Sequence, residues 1–336
     1  MRIGFIAVAL AVLGCKPGIE PCPPRSVLIG ADLSSLPSLT ELVLKRDGVS
    51  TDVWSEVEEG CIGLVRLRLW HQPSSASGSL DEVAVMAATA REHGALVLLD
   101  LHLSDTWADP GQQSPPAAWL GLPDSVLHDS VAAYVARCVA VIDPDAIQLG
   151  NETNHGWLWP AGNRWSNPSG WVATMSTAVQ AARIANPDMP VWLHFAGYRE
   201  VEAYAEEAKS FGVDGVGLSY YPWWHGTDLD SLGAALDLIQ SQGLQSAIFE
   251  FMAPWTGSWN DNTHNLVGSN TLLVPGYAAT PQGQADFVRD IRILAGSHGA
   301  WATIYWEPFW LSGSSPVENC AWADFDGFVL PSAKVR

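Results

Sequence analysis

Eight short apolar runs recur along the chain, and longer segments with helical character separate them. Most of the runs are nearly continuous in hydrophobic residues, which is typical of parallel strands covered on both faces. The predicted strands span residues 27–32, 64–70, 95–102, 146–151, 191–194, 215–220, 246–250 and 302–306. The predicted helices span residues 81–93, 126–142, 169–186, 200–211, 230–242 and 281–295, with a weaker first helix at 38–47.

This alternation predicts an α/β fold, a single (β/α)8 TIM barrel formed by residues 27–336. An open doubly wound sheet is the alternative. Its nucleotide-binding form is disfavoured because no GxGxxG motif follows the first strand and no phosphate-binding loop motif occurs. A hydrophobic content of 48% with 16% charged residues excludes a disordered chain.

The charge balance excludes one class of partner. Acidic residues outnumber basic ones 36 to 17, and the net charge is −19. A nucleic acid would be repelled by such a surface, so no nucleic-acid partner is expected. A neutral polymer fits this charge better than a polyanion.

The N-terminal residues are typical of an export signal. An eleven-residue apolar run follows Arg2 and is too short to span a membrane. Residues 1–14 are therefore predicted to be a signal peptide. The sequence VLGC resembles a bacterial lipobox, so Cys15 is the predicted lipidation site, with an ordinary signal peptide as the alternative. Residues 15–26 form a Pro-rich tether, and we expect an exported monomer that contacts a bacterial membrane only through its lipid.

Four further cysteines remain: Cys22, Cys61, Cys138 and Cys320. Export permits disulfides, but four cysteines allow three pairings and the sequence does not choose among them. Some of the four are equally consistent with buried free thiols. The absence of a CxxC motif argues against a thiolate zinc site.

Polar and aromatic residues cluster where the predicted strands end, which is where barrel enzymes carry their chemistry. The 17 tryptophans equal all lysines and arginines in number, and most lie at or just after strand ends. Tryptophan rings with carboxylates between them indicate a carbohydrate cleft. Glu152 ends the fourth strand and Glu250 the seventh, and such a pair is what glycoside hydrolysis requires. Asn151 is positioned to hold a sugar hydroxyl and to orient Glu152.

At this point the motifs resemble those of glycoside hydrolase family 53, the arabinogalactan endo-β-1,4-galactanases. The matching segments include VRLRLW at 65–70, LHLSDTWADPGQQ at 101–113, QLGNET at 148–153, LSYYPWWHG at 218–226 and YWEP at 305–308. The resemblance covers roughly residues 28–330. It implies retaining endo-hydrolysis of β-1,4-galactan, with Glu152 as acid/base and Glu250 as nucleophile.

A substrate-binding role is expected for further residues at the strand ends: Arg68, Trp70, His102, Asp105, Trp107, Tyr220, Tyr221, Trp224, His225, Trp255 and Trp306. Arg68 is a candidate ion-pair partner of Glu250 that would keep it ionised. Trp306 resembles the platform that related barrels have beneath the scissile sugar. Glu307 is a candidate ligand for either a hydroxyl or a backbone amide.

No cofactor and no metal ligand set are predicted, and calcium is the alternative. Some family members carry calcium in the loop after the seventh strand, and here that loop, residues 258–265, has asparagines where aspartates bind Ca²⁺ best. Two other functions remain open at this point. One is a related barrel that cleaves a different β-glycan, and the other is a lipid-anchored glycan-binding protein without turnover.

Overall fold

Eight parallel strands close into a barrel in the computed structural model, which describes residues 22, 26–39, 42–261, 265–311 and 315–335. The strands are β1 (Leu28–Asp32), β2 (Leu64–Leu69), β3 (Leu96–Leu101), β4 (Ala146–Leu149), β5 (Val191–Ala196), β6 (Gly215–Tyr220), β7 (Gln245–Phe251) and β8 (Ala302–Tyr305). β1 pairs with both β2 and β8, which closes the sheet. The predicted (β/α)8 barrel is confirmed.

The helices are α1 (Val53–Glu59), α2 (Leu80–Glu92), α3 (Asp124–Ile142), α4 (Pro168–Ala185), α5 (Val201–Phe211), α6 (Pro222–His225), α7 (Leu229–Ser241) and α8 (Pro281–Ser297). All but the single turn α6, which lies at the cavity, belong to the outer layer. Short 3-10 helices lie at Leu36–Ser38, Ala117–Trp119, Glu318–Cys320 and Pro331–Lys334. A small hairpin, Gly156–Trp157 with Gly162–Asn163, follows β4. Although α3 is long and apolar enough to cross a membrane, it packs on α2 and α4 with one face buried, as a barrel helix does.

The weak helix predicted at 38–47 is wrong. The described part of this segment forms an antiparallel hairpin, Leu44–Arg46 with Val49–Thr51. Asp47 and Gly48 both have positive φ, 51° and 82°, which is the conformation that a tight two-residue hairpin requires. The turn chemistry of Asp-Gly therefore overrides the local helical pattern.

Large side chains fill the lower interior of the barrel. Trp192 and Phe249 lie there fully buried, together with Leu64, Leu98 and Ile304. Gly215 and Gly217 on β6 make room for the two rings, since a Cβ would stand 2.2 Å from Trp192 and 2.1 Å from Phe249. The interior is thus packed below the mouth, and only the carboxyl ends of the strands are open for a ligand.

One irregularity lies directly beside the predicted nucleophile. Leu218 pairs with Ile248, but the next residue of β6, Ser219, pairs with Glu250. The extra residue in β7 is Phe249, whose ring fills the barrel interior. Such a bulge re-aims the side chain that follows it, and here that side chain is Glu250.

A disulfide joins Cys22 to Cys61, with a Cα–Cα distance of 5.7 Å. Cys138 and Cys320 are buried free thiols. The structure thus selects one bond where the sequence left the pairing open. The predicted signal peptide and Cys15 lie outside the described residues, as does most of the 15–26 tether.

Candidate active site

A cavity of about 920 Å³ opens at the carboxyl ends of the strands. Ten of the sequence-predicted site residues line it: Arg68, His102, Trp107, Asn151, Glu152, Tyr221, Trp224, His225, Glu250 and Trp306. The two glutamates therefore share one cavity although almost 100 residues separate them in the chain.

Glu250 is 6% exposed and is held by three neighbours. Arg66 Nη1 lies 2.7 Å from its Oε1. The hydroxyl of Tyr221 donates a hydrogen bond of 2.8 Å to its Oε2, and the hydroxyl of Ser219 donates a longer one of 3.4 Å. A cation and two hydroxyl donors all favour the carboxylate form of Glu250.

The predicted pairing of Arg68 with Glu250 is wrong, because Arg66 makes that ion pair. Both arginines point into the barrel from β2, but the Arg68 guanidinium lies over the rings of Trp70 and Trp107, at 4.3 and 4.0 Å from their centroids. This stacking holds it near the mouth, where its acidic neighbour is Glu307 at 3.7 Å.

Arg66 is the centre of a buried charge cluster that lines the cavity. Its guanidinium lies 2.7 Å from Asp32, 2.8 Å from Asp100 and 2.7 Å from Glu250. Burial opposes the charge on Arg66, but the three carboxylates together raise its pKa above the ordinary value. Burial likewise opposes ionisation of Asp100, yet Arg66 lowers the pKa of Asp100 to about 2. The permanent charge of the guanidinium thus stabilises the carboxylate form of Asp100 although that side chain is buried.

The environment of Glu152, unlike that of Asp100, favours the protonated form of the carboxyl group. The residue follows β4 in a left-handed conformation, φ 46°, and its side chain is partly exposed to the cavity. Burial, and to a smaller extent the negative charge of Glu250, together raise the pKa of Glu152 to about 8. Burial also raises the pKa of Glu250, but there Arg66 and the Tyr221 hydroxyl counteract the rise. At neutral pH the proton of the pair therefore resides on Glu152.

Asn151 holds the start of this loop. Its Nδ2 donates to the backbone oxygen of Ala108 at 2.8 Å, and its Oδ1 accepts from Arg66 at 2.9 Å. The same Oδ1 lies 2.8 Å from His194 Nδ1. His194 is buried, and burial lowers its pKa well below the ordinary value, so it is neutral. These contacts orient the backbone that carries Glu152.

Hydrogen bonds fix the ring orientation of two histidines in the cavity wall, His102 and His225. His102 contacts Asp100 through Nε2 at 2.9 Å, and its Nδ1 accepts from the backbone N–H of Ala108 at 3.2 Å. His225 Nδ1 accepts from the backbone N–H of Tyr221 at 3.0 Å, and burial lowers the pKa of His225 to about 4. His225 is therefore neutral at physiological pH and acts as a wall rather than as a cation.

The aromatic part of the cavity lies on the side of β3 and β8. Trp107 stacks nearly parallel to Trp310, with 6.4 Å between ring centroids, and meets Trp306 edge-on at 6.1 Å. Trp224 lies at the opposite edge and is 56% exposed. Flat rings of this kind offer apolar faces with polar edges, which suits the C–H faces and hydroxyls of sugars.

Four predicted binding residues do not line the cavity. Trp70 lies behind it and supports Arg68. Asp105 accepts backbone hydrogen bonds from Gln72 and Ala117, and thereby ties two loops together. Trp255 packs on Phe325.

The fourth is Tyr220. It points away from the mouth because successive side chains of a strand alternate between faces, so Tyr221 points inward and Tyr220 outward. The Tyr220 hydroxyl donates to Gly226 O at 3.0 Å. Of the two adjacent tyrosines at the end of β6, only Tyr221 therefore lines the cavity.

Four further residues line the cavity that the sequence did not single out as site residues: Asp32, Arg66, Asp100 and Trp310. The signal was available for two of them. Arg66 has the inward parity of Arg68 in VRLRLW, and Asp100 has that of His102 in LLDLH. Glu307 accepts from the backbone N–H of Ser35 at 3.0 Å and from the Ser35 hydroxyl at 2.8 Å, so it binds both a backbone amide and a hydroxyl of the protein.

The calcium prediction concerns a loop of which residues 262–264 lie outside the described part. Among the described residues, no cluster of three or more His, Cys, Asp or Glu side chains is arranged to hold a metal ion. The expectation of no cofactor, with calcium as the alternative, stays a prediction.

A closed (β/α)8 barrel with an acidic pair and tryptophan rings at its mouth is the architecture of a glycoside hydrolase. The family model of glycosyl hydrolase family 53 matches residues 28–335, and the chain belongs to this family. It is 31% identical to the arabinogalactan endo-β-1,4-galactanase of Cellvibrio japonicus over 304 residues, which cover 84% of this chain and 81% of that protein.

Two further comparisons agree. The endo-β-1,4-galactanase of Bacillus subtilis is 26% identical over 373 residues, covering 93% of this chain and 85% of the relative. Among solved structures, the family 53 catalytic domain of Ignisphaera aggregans superposes with a TM-score of 0.85 at 30% identity, covering 94% of this chain and 98% of that domain. The likeness extends over the whole barrel.

Proposed function

We propose that this enzyme hydrolyses internal β-1,4-galactosidic bonds of galactan and arabinogalactan with retention of configuration. The observation that carries the proposal is the unequal environment of two glutamates in one cavity. Glu250 is paired with Arg66, whereas burial and the charge of Glu250 raise the pKa of Glu152 to about 8. One carboxylate and one carboxylic acid are the starting state of a glycosidase.

In the first step the protonated Glu152 donates its proton to the glycosidic oxygen while the Glu250 carboxylate attacks the anomeric carbon. The C–O bond to the leaving chain breaks, and a galactosyl ester forms on Glu250. Glu152, now a carboxylate, then takes a proton from water, which attacks the anomeric carbon and releases Glu250. The product keeps the β configuration because the anomeric carbon is inverted twice.

One hydroxyl supports retention over inversion. Ser219 hydrogen-bonds Glu250 at 3.4 Å and also lies within hydrogen-bonding reach of Glu152. Two carboxyls that share a small donor are close together, as in retaining enzymes, where about 5–5.5 Å separates them. An inverting pair stands about 6.5–9.5 Å apart, which leaves room for a water between them.

Product analysis on linear β-1,4-galactan tests the proposal. We expect galacto-oligosaccharides of several lengths, and the first anomer seen by ¹H NMR should be β. Glu250→Ala should lose hydrolysis but retain binding of the polymer. Release of sugars from mannan in preference to galactan would favour the alternative of a relative acting on another β-glycan, and an initial α anomer would rule out retention.

We propose also that the protein is exported and anchored through a lipid on Cys15. The Cys22–Cys61 disulfide is consistent with an oxidising compartment outside the cytoplasm. Cys61 lies just before β2, at the end of the barrel opposite the cavity. A tether from Cys15 to Cys22 reaches at most about 25 Å, so an anchored enzyme would turn its cavity away from the membrane.

Detergent phase partition tests the anchor. The wild type should enter the detergent phase, and Cys15→Ser should stay in the aqueous phase with unchanged kcat/KM on galactan. A wild type that is found in the aqueous phase would favour the ordinary signal peptide.

A further inference from the structure

A second cavity, of about 250 Å³, adjoins the catalytic one. The two share a wall formed by Ala196, Trp224 and His225. Loops that follow β4 and β5 supply the remaining wall, with Trp165 at its rim. None of the catalytic steps uses this space.

Trp165 is the distinctive residue of the second cavity. It is 62% exposed, yet its ring is fixed from behind and from one edge. The Arg164 guanidinium lies 4.6 Å from the ring centroid, and the indole N–H donates to His155 Nδ1 at 2.8 Å. One face of the indole is thereby occupied by protein, and the other remains open to solvent.

The support behind Trp165 is itself rigid. Arg164 is 6% exposed and forms a two-bond ion pair with Glu207, both bonds at 2.9 Å. It also donates to the backbone oxygen of Asn154 at 3.1 Å. A loosely held surface tryptophan loses conformational freedom on binding a ligand, whereas this one is already ordered and avoids that entropic cost.

Polar side chains ring the same cavity. His155, Arg199 and Glu200 are exposed there and offer both donors and acceptors. Arg199 forms no ion pair with any residue that the structure describes. An open aromatic face bordered by polar side chains suits a neutral sugar, whose ring stacks while its hydroxyls form hydrogen bonds.

The position of the cavity decides which part of a glycan it meets. Asn154 and His155 follow Glu152 by two and three residues, so the second cavity lies on the acid/base side of the site. Glu250, on β7, belongs to the other side. Since Glu152 delivers its proton to the leaving oxygen, the departing chain extends toward Glu152 and past Trp224.

We infer that the second cavity is a leaving-group subsite that binds a galactosyl residue of the departing chain on the open face of Trp165. The inference rests on the proposed galactanase activity and adds to it a binding position outside the catalytic cavity. It makes the enzyme prefer substrates that continue beyond the cleaved bond.

Steady-state kinetics on two substrates test the inference. Linear β-1,4-galactan reaches the second cavity, whereas an aryl β-1,4-galactobioside has only a small aromatic leaving group. We expect Trp165→Ala to lower kcat/KM on galactan about 5- to 10-fold, as loss of one aromatic stacking contact does. The same variant should stay within about twofold of wild type on the aryl substrate.

Two variants serve as controls. Trp165→Phe keeps a flat face and should retain most activity on galactan. Trp259→Ala removes an indole of similar exposure, 54%, that lines neither cavity, and should leave both substrates unaffected. If Trp165→Ala equals wild type on galactan, or loses as much on the aryl substrate, the subsite does not exist. If the wild type cleaves neither substrate, the galactanase proposal fails and this inference fails with it.

Discussion

The protonation of Glu152 gives the sharpest prediction for this enzyme. At an ordinary glutamate pKa near 4.5, only about 0.3% of the residue would be protonated at pH 7; at a pKa of about 8, about nine-tenths is. The shift therefore increases the fraction of competent acid roughly 300-fold at pH 7. We expect the pH profile of kcat/KM on galactan to fall on its alkaline side with a midpoint near 8.

The causes of the shift can be separated with one substitution. Burial is the larger cause and the negative charge of Glu250 the smaller one. In Glu250→Gln that charge is absent while burial persists, so the pKa of Glu152 should fall and still remain above 4.5. Titration of the glutamate carboxyl carbons by ¹³C NMR measures this in the inactive variant, and the signal missing from Glu152→Gln identifies the residue.

The alkaline limb must be distinguished from titration of Glu307, because burial raises the pKa of Glu307 to about 8 as well. It does not line the cavity, so Glu307→Gln should keep the alkaline limb of kcat/KM near 8. The reasoning is refuted if Glu152 titrates near 4.5 in the wild type. It is refuted equally if removal of the Glu250 charge leaves the pKa of Glu152 unchanged, or if Glu307→Gln abolishes the alkaline limb.

Four other outcomes follow from the contacts. Arg66→Met leaves buried carboxylates without their cation and should lower the free energy of unfolding, measured in urea titrations, by about 3–5 kcal/mol. A smaller loss would contradict the buried cluster. Glu307 has a raised pKa in the folded state, so its contribution to stability is lost as pH rises from about 4.5 to about 8. Glu307→Gln should therefore reduce the difference between the free energies of unfolding measured at pH 5 and pH 8.5. Replacing Cys22 and Cys61 together by serine opens a loop of 39 residues and should cost about 4 kcal/mol, and a reductant should then have no further effect on unfolding. EDTA should leave activity on galactan unchanged, since each proposed step uses only side chains and water; loss of activity that Ca²⁺ restores would point to the loop at 258–265.

The barrel was predictable from the sequence because one pattern indicates its strands and another indicates the ends of its helices. Parallel strands covered on both faces are continuous apolar runs, and the helix ends carry caps such as Thr280, whose hydroxyl accepts from Gly283 N–H ahead of α8. Residues 38–47 were mispredicted because a helical pattern ignores backbone conformation at Asp47 and Gly48. Local turn geometry, rather than periodicity, determined that segment.

The two acids were predictable because each stands alone at a strand end, whereas their partners were not. The alternation of side chains along β2 indicates that Arg66 and Arg68 both point inward, but it does not show how far each lies from the mouth of the barrel. Which one reaches Glu250 depends on the stacking of Arg68 over two rings and on the bulge in β7. Tryptophans at strand ends were ambiguous in the same way: Trp157 is fully buried although its place in the sequence resembles that of the exposed Trp165.

The charges around the anomeric position explain why the site keeps both a guanidinium and a protonated acid. The carboxylates of Asp32, Asp100 and Glu250 surround the single guanidinium of Arg66, so this cluster carries net negative charge. Positive charge develops on the sugar ring in the transition state of glycoside hydrolysis, so in the proposed mechanism a fixed negative cluster in the cavity would favour that state over the neutral substrate. A charged Glu152 would add to this field but could not donate a proton. Burial resolves that conflict, since it raises the pKa of Glu152 and leaves the negative charge where Arg66 stabilises it.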